Sequence, residues 1–277
     1  MKITEKIIET KDYVTKSNLP ASDYVINPYI GCPHSCKYCY ACFMKRFTKH
    51  DEEWGTFIDI KHSEKPVSKK KLQGKSVFMS SVTDCYNEFE KKHGITRGIL
   101  EQLTDIECEL TISTKSDLIL RDIELLKKCR NLKVSVSINT LDESFRKDMD
   151  RASSIEERFD ALRILHERGI HTVLFMSPIF PGVTDFREII EASRSFVDEY
   201  WFENLNLRGS YKGTILSYIN EKYPQYTEVY DDIYRKKNRD YWRVLAIEIE
   251  EYCREHGVTY SNFFYHEQLV KEKLSRN

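Results

Sequence analysis

Short apolar runs recur along the chain at residues 24–30, 76–83, 109–114, 133–140, 172–178 and 201–208, and each reads as a strand. Stretches with helical period separate them. The clearest is 155–168, opened by Ser154 and Glu157 as a capping box and closed by Gly169. Strands and helices alternating at this spacing predict an α/β fold with a parallel sheet and right-handed crossovers. Six such units make a partial (β/α)6 TIM-type barrel.

Three strands carry one polar face. Val134, Val136 and Ile138 alternate with Ser135, Ser137 and Asn139; Leu110 and Ile112 with Thr111, Ser113 and Lys115; Leu205 and Leu207 with Asn204, Asn206 and Arg208. A parallel strand covered on both faces should be apolar throughout, so these polar faces predict a lumen lined by hydrogen-bonding groups, built for a polar ligand. Polar residues also gather at the strands' C-terminal ends, where α/β barrels place their chemistry.

The flanks are less regular. Residues 1–22 read as an amphipathic N-terminal leader with Ile3, Ile7 and Ile8 on one side, 40–47 as a short helix, and 48–74 as a polar stretch with one extended piece at 56–60. Helices are expected around 213–223 and 240–256, then Gly257 and a closing strand within 258–265. The chain is expected to be one domain over 1–277, with a core at about 23–210 and a C-terminal helical cap at about 211–277; a small separate domain is the alternative for that tail.

Of the 277 residues 40% are hydrophobic and 31% charged, which places the chain among soluble globular proteins. The net charge of −1 excludes a globally basic nucleic-acid binder. Two local basic runs remain as candidates for following a phosphate backbone: Lys61, Lys65, Lys69, Lys70, Lys71 and Lys75, and then Arg235, Lys236, Lys237, Arg239 and Arg243. The first 13 residues lack the apolar core of a signal peptide, and no apolar run approaches the roughly 18 residues of a membrane span, so a cytoplasmic location is expected and no membrane partner.

Eight cysteines in such a chain read as metal ligands and reduced core thiols. Three of them, Cys32, Cys36 and Cys39, stand four and then three residues apart behind Gly31 and around Pro33, which argues for a loop rather than a helix face. Soft sulfur ligands at this density select iron–sulfur clusters, zinc or copper(I). No fourth ligand stands in the motif, and a cubane held by three cysteines keeps one iron open. Cys42 falls on the following helix and reads as a structural thiol.

Cys32-x-x-x-Cys36-x-x-Cys39, with Tyr38 before the last cysteine, resembles the signature of the radical SAM superfamily. The resemblance implies a [4Fe-4S] cluster on those three cysteines and S-adenosylmethionine on the open iron. It further implies cleavage of the sulfonium to a 5′-deoxyadenosyl radical that abstracts hydrogen from a substrate, with a flavodoxin- or ferredoxin-type electron donor. Segments 80–84, 111–116, 134–142 and 177–182 are similar to the branch containing spore photoproduct lyase and its "DNA repair photolyase"-like relatives, and the chain also resembles radical SAM proteins found in pairs on mobile elements.

By that resemblance Asp84 takes the methionyl amino group, Lys115 and Ser137 the carboxylate or ribose, and Tyr38 and Ile179 the adenine, with Asn139 a further cofactor contact. Spore photoproduct lyases carry a hydrogen-donating cysteine where this chain has Ser81; here the thiol is Cys85. That departure sets two readings of Cys85 side by side, a catalytic radical relay and a packed core thiol. Two functions compete with the general one: a DNA-lesion lyase, and a non-catalytic iron–sulfur or zinc interaction module.

Overall fold

The structure is a computed structural model that describes residues 2–209 and 211–264. Its strands in chain order are β1 (Thr4–Glu9), β2 (Val14–Lys16), β3 (Tyr24–Ile26), β4 (Tyr29–Ile30), β5 (Phe57–His62), β6 (Ser76–Met79), β7 (Glu109–Thr114), β8 (Leu132–Ser137), β9 (His171–Ile179), β10 (Glu199–Asn204) and β11 (Tyr260–Asn262). The main sheet runs β2-β3-β6-β7-β8-β9-β10-β11. Every neighbouring pair from β3 to β11 is parallel, and only β2 is antiparallel. The six expected strands are therefore present, side by side in chain order, as the open barrel requires.

Four expectations need correction. The leader is not a separate amphipathic element: β1 pairs in parallel with β5 and β2 pairs with β3. The run 24–30 splits at Asn27-Pro28, because proline has no N–H to give a ladder; β3 stays in the main sheet and β4 turns to pair with β5. β11 joins the sheet beside β10 but does not close it, since β2 and β11 remain its two ends. The last barrel strand lies earlier than expected, at Glu199–Asn204, so Asn206 and Arg208 fall beyond it. Its outward face is Tyr200 and Phe202, both buried, and its lumen face is Glu199, Trp201 and Glu203.

The capping box forms as predicted: Ser154 Oγ accepts from the Glu157 N–H at 3.2 Å, and the Glu157 carboxylate accepts from the Ser154 N–H at 2.7 Å, starting the helix Ile155–Glu167. Two helices appear in the tail where expected, Tyr211–Lys222 and Asp240–Glu255, with an unanticipated third, Thr227–Tyr234, between them. Asp240–Glu255 packs beside Phe186–Ser193, through Arg187 to Glu248 at 3.1 Å and Tyr252 donating to Glu191 at 2.7 Å. It thus serves as the crossover from β10 to β11. The capping position belongs to Tyr211–Lys222, whose Tyr218 donates to Asp148 at 2.7 Å and lies 5.5 Å from the Lys37 ammonium beside the cysteine loop. Among the described residues no helix is long and apolar enough to cross a membrane.

The first basic run is less available than its sequence suggests. Lys71 pairs with Asp12, and Lys61 on β5 is withdrawn, with no ion pair among the described residues; burial pulls its ammonium down to about 8. A lysine charged in the unfolded chain and disfavoured as a cation in the folded one costs stability at neutral pH. Lys61→Met is accordingly expected to stabilise the fold at pH 7 by on the order of 2 kcal/mol in urea titrations, the advantage shrinking as pH rises above 8 and wild-type Lys61 discharges. A destabilised Lys61→Met chain would contradict this.

Candidate active site

The cysteine loop leaves β4 through Gly31, where φ is +86° and a Cβ would stand 2.4 Å from the Phe57 carbonyl oxygen. Gly55, at φ +94°, packs equally close to Ser35, inside the motif. Segment 54–57 is thus seated on the loop, and only glycine fits at either contact. All three motif cysteines are free and partly exposed, and all three line one cavity of about 920 Å³ inside the barrel. Cys42 lies one turn into the 3-10 helix Tyr40–Phe47 and does not line it. Burial pushes the Cys36 thiol up to about 12 and the Cys32 and Cys39 thiols upward as well, so a metal that binds here displaces protons.

The loop is tied to the barrel from both sides. His34 Nδ1 lies 3.3 Å from Asp84, whose carboxylate also accepts from the N–H groups of Tyr86 at 2.9 Å and Lys115 at 2.8 Å and from Thr114 Oγ1 at 2.8 Å. Burial alone would raise the Asp84 pKa, but these donors hold it at about 2. On the other side Tyr38 donates to Asp150 at 3.3 Å, and Asp150 is paired with Arg158 at 2.6 Å, both partners being 1% exposed in their side chains. Arg158 also donates to the Ser137 carbonyl at 3.1 Å, which links β8 to the loop.

The sequence candidates part company here. Lys115 and Ser137 line the cavity, and among the described residues the Lys115 ammonium has no carboxylate partner; it stands 6.0 Å from the Tyr38 ring. Asp84 lines it too, yet its four donors leave it engaged with its own chain. Tyr38, Asn139 and Ile179 lie behind the wall: Tyr38 packs edge-on to Phe180 at 5.4 Å, Asn139 donates to the Pro178 carbonyl at 2.9 Å, and Ile179 is 1% exposed. Cys85 is fully buried in the core, away from the cavity, with its N–H on Ser80 Oγ and its carbonyl accepting from Thr96. That position fits the packed core thiol of the two readings.

Sequence reasoning missed Glu203, which faces the cavity, accepts from Ser177 and has no cationic partner among the described residues. It also missed Trp54, whose buried indole Nε1 has no hydrogen-bond partner. Burial pushes the Cys39 thiol up, and the Trp54 N–H beside it pulls the other way. Three thiols around one cavity mouth, with an unpartnered N–H beside Cys39, fit a sulfur-bound cluster. At the opposite end, Glu199 is held by Lys133 at 2.5 Å, Trp201 Nε1 at 2.7 Å and Ser261 at 3.1 Å.

The second basic run is largely neutralised locally: Arg235 pairs with Asp231 at 3.1 Å, Lys236 with Asp232 at 3.4 Å and Arg243 with Asp240 at 2.8 Å. Lysines and arginines so engaged make a poor track for phosphates.

A parallel partial barrel with a three-cysteine loop at the C-terminal mouth of its strands defines an enzyme class, and residues 26–193 match the family model of the radical SAM superfamily. The chain belongs to that superfamily, which implies a [4Fe-4S] cluster and S-adenosylmethionine as its cofactors. An uncharacterised protein of Methanocaldococcus jannaschii is 40% identical over 80% of this chain and 85% of its own length. An uncharacterised protein of Acidianus two-tailed virus is 31% identical over 72% of each. Among solved structures, spore photoproduct lyase complexed with dinucleoside spore photoproduct shares the fold at a TM-score of 0.54 and 16% identity, over 79% of this chain and 66% of that one. Streptococcus suis SuiB bound to S-adenosylmethionine gives 0.55 at 15% identity, over 94% of this chain and 50% of that one. The chain thus spans about two thirds and half the length of these two proteins, and the likeness is one of fold.

Proposed function

We propose that the protein reductively cleaves S-adenosylmethionine and abstracts a hydrogen atom from a substrate enclosed in the barrel. The observation that carries this reading is the convergence of Cys32, Cys36, Cys39, Lys115 and Ser137 on one cavity. The cluster, when bound, supplies the single electron that breaks the C5′–S bond of adenosylmethionine, giving methionine and the 5′-deoxyadenosyl radical. The chain's own part is to hold and enclose. Cys32, Cys36 and Cys39 would ligate three irons; Lys115 would take the methionyl carboxylate as a charge-assisted donor. Ser137 offers a hydroxyl to the ribose. Asp84 keeps the loop in place through His34 rather than meeting the ligand. Tyr38, Asn139 and Ile179 support the wall from behind, and Glu199 and Trp201 line the cavity.

A zinc module is the weaker reading. A structural zinc site closes its tetrahedron with four ligands and the motif offers three, whereas three thiols on a cubane each bind a different iron and leave the fourth open. Repair of a DNA lesion also loses ground, since Cys85 is packed away and the basic runs are partly paired. The test is anaerobic reconstitution with iron and sulfide, followed by reduction with dithionite and adenosylmethionine. Formation of 5′-deoxyadenosine and methionine in equal amounts supports the reading, and a loaded protein that forms neither refutes it.

Trp54 yields a second measurable consequence. An N–H donated to a ligating sulfur favours the more negative, reduced cluster, so Trp54→Phe should leave iron content unchanged and lower the midpoint potential by ~40 mV, the equivalent of about 1 kcal/mol for one electron. An unshifted potential in an EPR-monitored titration would remove Trp54 from the account.

A further inference from the structure

The wall of the cavity built by β9, β10 and β11 carries a carboxylate that the chain does not answer. Of the carboxylates lining that cavity, Asp84 is met by His34 and Glu199 by Lys133, and Glu109 stands exposed at the start of β7. Glu203 has the Ser177 hydroxyl and, among the described residues, no cation. Its backbone sets where it points. Phe202 pairs with Met176 and Asn204 with Ile179, so Glu203 stands opposite two residues, Ser177 and Pro178, at a bulge near the C-terminal end of β10. Bulges re-aim side chains beside active sites, and barrels do their chemistry at strand C-terminal ends. Three rings share the wall. Phe175, Trp201 and Phe263 line the cavity and pack edge to face, with centroids 5.5 to 6.3 Å apart. Trp201 and Phe175 stand two residues before Glu203 and Ser177 on the same strand faces, which sets the rings roughly 7 Å deeper in the lumen than the carboxylate. The indole keeps no free donor for a ligand, because Trp201 Nε1 is given to Glu199 at 2.7 Å.

We propose that Glu203 and these rings form the substrate subsite, and that it takes a small alkylammonium or guanidinium head on an apolar stem. The inference rests on the reading of the cavity given above and deepens it by naming the substrate's chemical class. Ser177 fills one acceptor position of the carboxylate, and those that remain suit the N–H groups of a cation, which also answers the charge as a neutral ligand does not. The rings hold the stem by burial and favour a cation over their faces. Adenosylmethionine has its place elsewhere on the rim. Lys115 directly follows β7, three strands from β10 in the sheet, which at the usual strand spacing is about 14 Å away, with Ser137 between them on β8. A cavity of about 920 Å³ is large for one small ligand, so a second fits beside it.

The test uses the reconstituted full chain, oxidised and saturated with adenosylmethionine, and reads binding by ligand-observed NMR titration. The cationic probes are n-pentylamine and n-butylguanidine, and 1-pentanol is the neutral one. Both cations should bind wild type at least about tenfold more tightly than pentanol, a comparison that needs no variant. Glu203→Gln keeps an acceptor for Ser177 and removes the charge, so it should cut cation affinity about tenfold or more and abolish that preference, with pentanol changed by no more than about twofold. A blocked Ala-Lys-Ala tripeptide separates two sources of the same head: binding on a par with pentylamine assigns the subsite to a peptide side chain, and binding of the free amines alone assigns it to a small molecule. Cations that bind wild type no better than pentanol, or that bind Glu203→Gln as well as wild type, overturn the proposal and leave the enzyme reading standing. Adenosylmethionine affinity that falls in Glu203→Gln as far as cation affinity does would give the carboxylate to adenosylmethionine and overturn the proposal equally. A cluster-loaded wild-type protein that neither binds nor cleaves adenosylmethionine defeats the enzyme reading itself, and the proposal with it.

Discussion

Cys32→Ala, Cys36→Ala and Cys39→Ala chains should each lose the iron–sulfur chromophore almost completely after anaerobic reconstitution, while Cys42→Ala should reconstitute as the parent does. All four thiols lie within eleven residues, yet only the first three line the cavity; Cys42 lies on the 3-10 helix that follows. A cubane held by three sulfurs has none to spare, because the fourth iron is the site for adenosylmethionine. Iron and sulfide analysis with absorption near the cluster bands decides it. A Cys42→Ala protein as empty as Cys36→Ala would mean that all four irons are ligated by the chain, leaving no open position.

The second large effect lies one layer out. Arg158→Met should destabilise the fold by about 3–5 kcal/mol, because it strands the Asp150 carboxylate in the core with two neutral donors, Tyr38 and the Ala152 N–H, and Arg146 at 3.7 Å as the nearest remaining cation. It also releases the carbonyls of Ser137 and Ser153, each of which accepts from Arg158. Adding Asp150→Asn should recover part of the loss, since an amide does not carry the stranded charge. Urea unfolding of the single and double variants measures both quantities. A single variant within about 1 kcal/mol of wild type would show that the pair does not hold the loop, and cluster loading should then be unaffected too.

Much of this fold was legible in the sequence because barrel strands declare themselves locally. The alternation in β7 and β8 placed Ser113, Lys115 and Ser137 on the lumen face, and the cysteine spacing pointed to the cluster site. What was not legible depended on partners far away along the chain. β1 becomes a strand because β5, at Phe57–His62, offers it an edge, and nothing in its own residues says so. The register of β10 is set by pairing with β9, which begins at Glu199 opposite Val173; the Asn204, Asn206 and Arg208 alternation was a plausible face of a strand that had already ended. Asp84 looked like a ligand contact because it is a carboxylate at a strand end, but its four donors come from His34, Tyr86, Thr114 and Lys115, a set assembled only by folding. Trp54 carries no motif at all, and only its unpartnered N–H beside Cys39 reveals it.

The central claim is that three cysteines leave one iron open to adenosylmethionine inside the barrel. EPR of the dithionite-reduced, reconstituted protein tests it most directly, recorded before and after adding adenosylmethionine labelled with nitrogen-15 at its amino group. The account predicts that the signal changes on addition and acquires a hyperfine coupling to the labelled nitrogen, in wild type and Cys42→Ala alike. A reduced cluster whose spectrum is indifferent to adenosylmethionine at saturating concentration, with no coupling to the label, would contradict it.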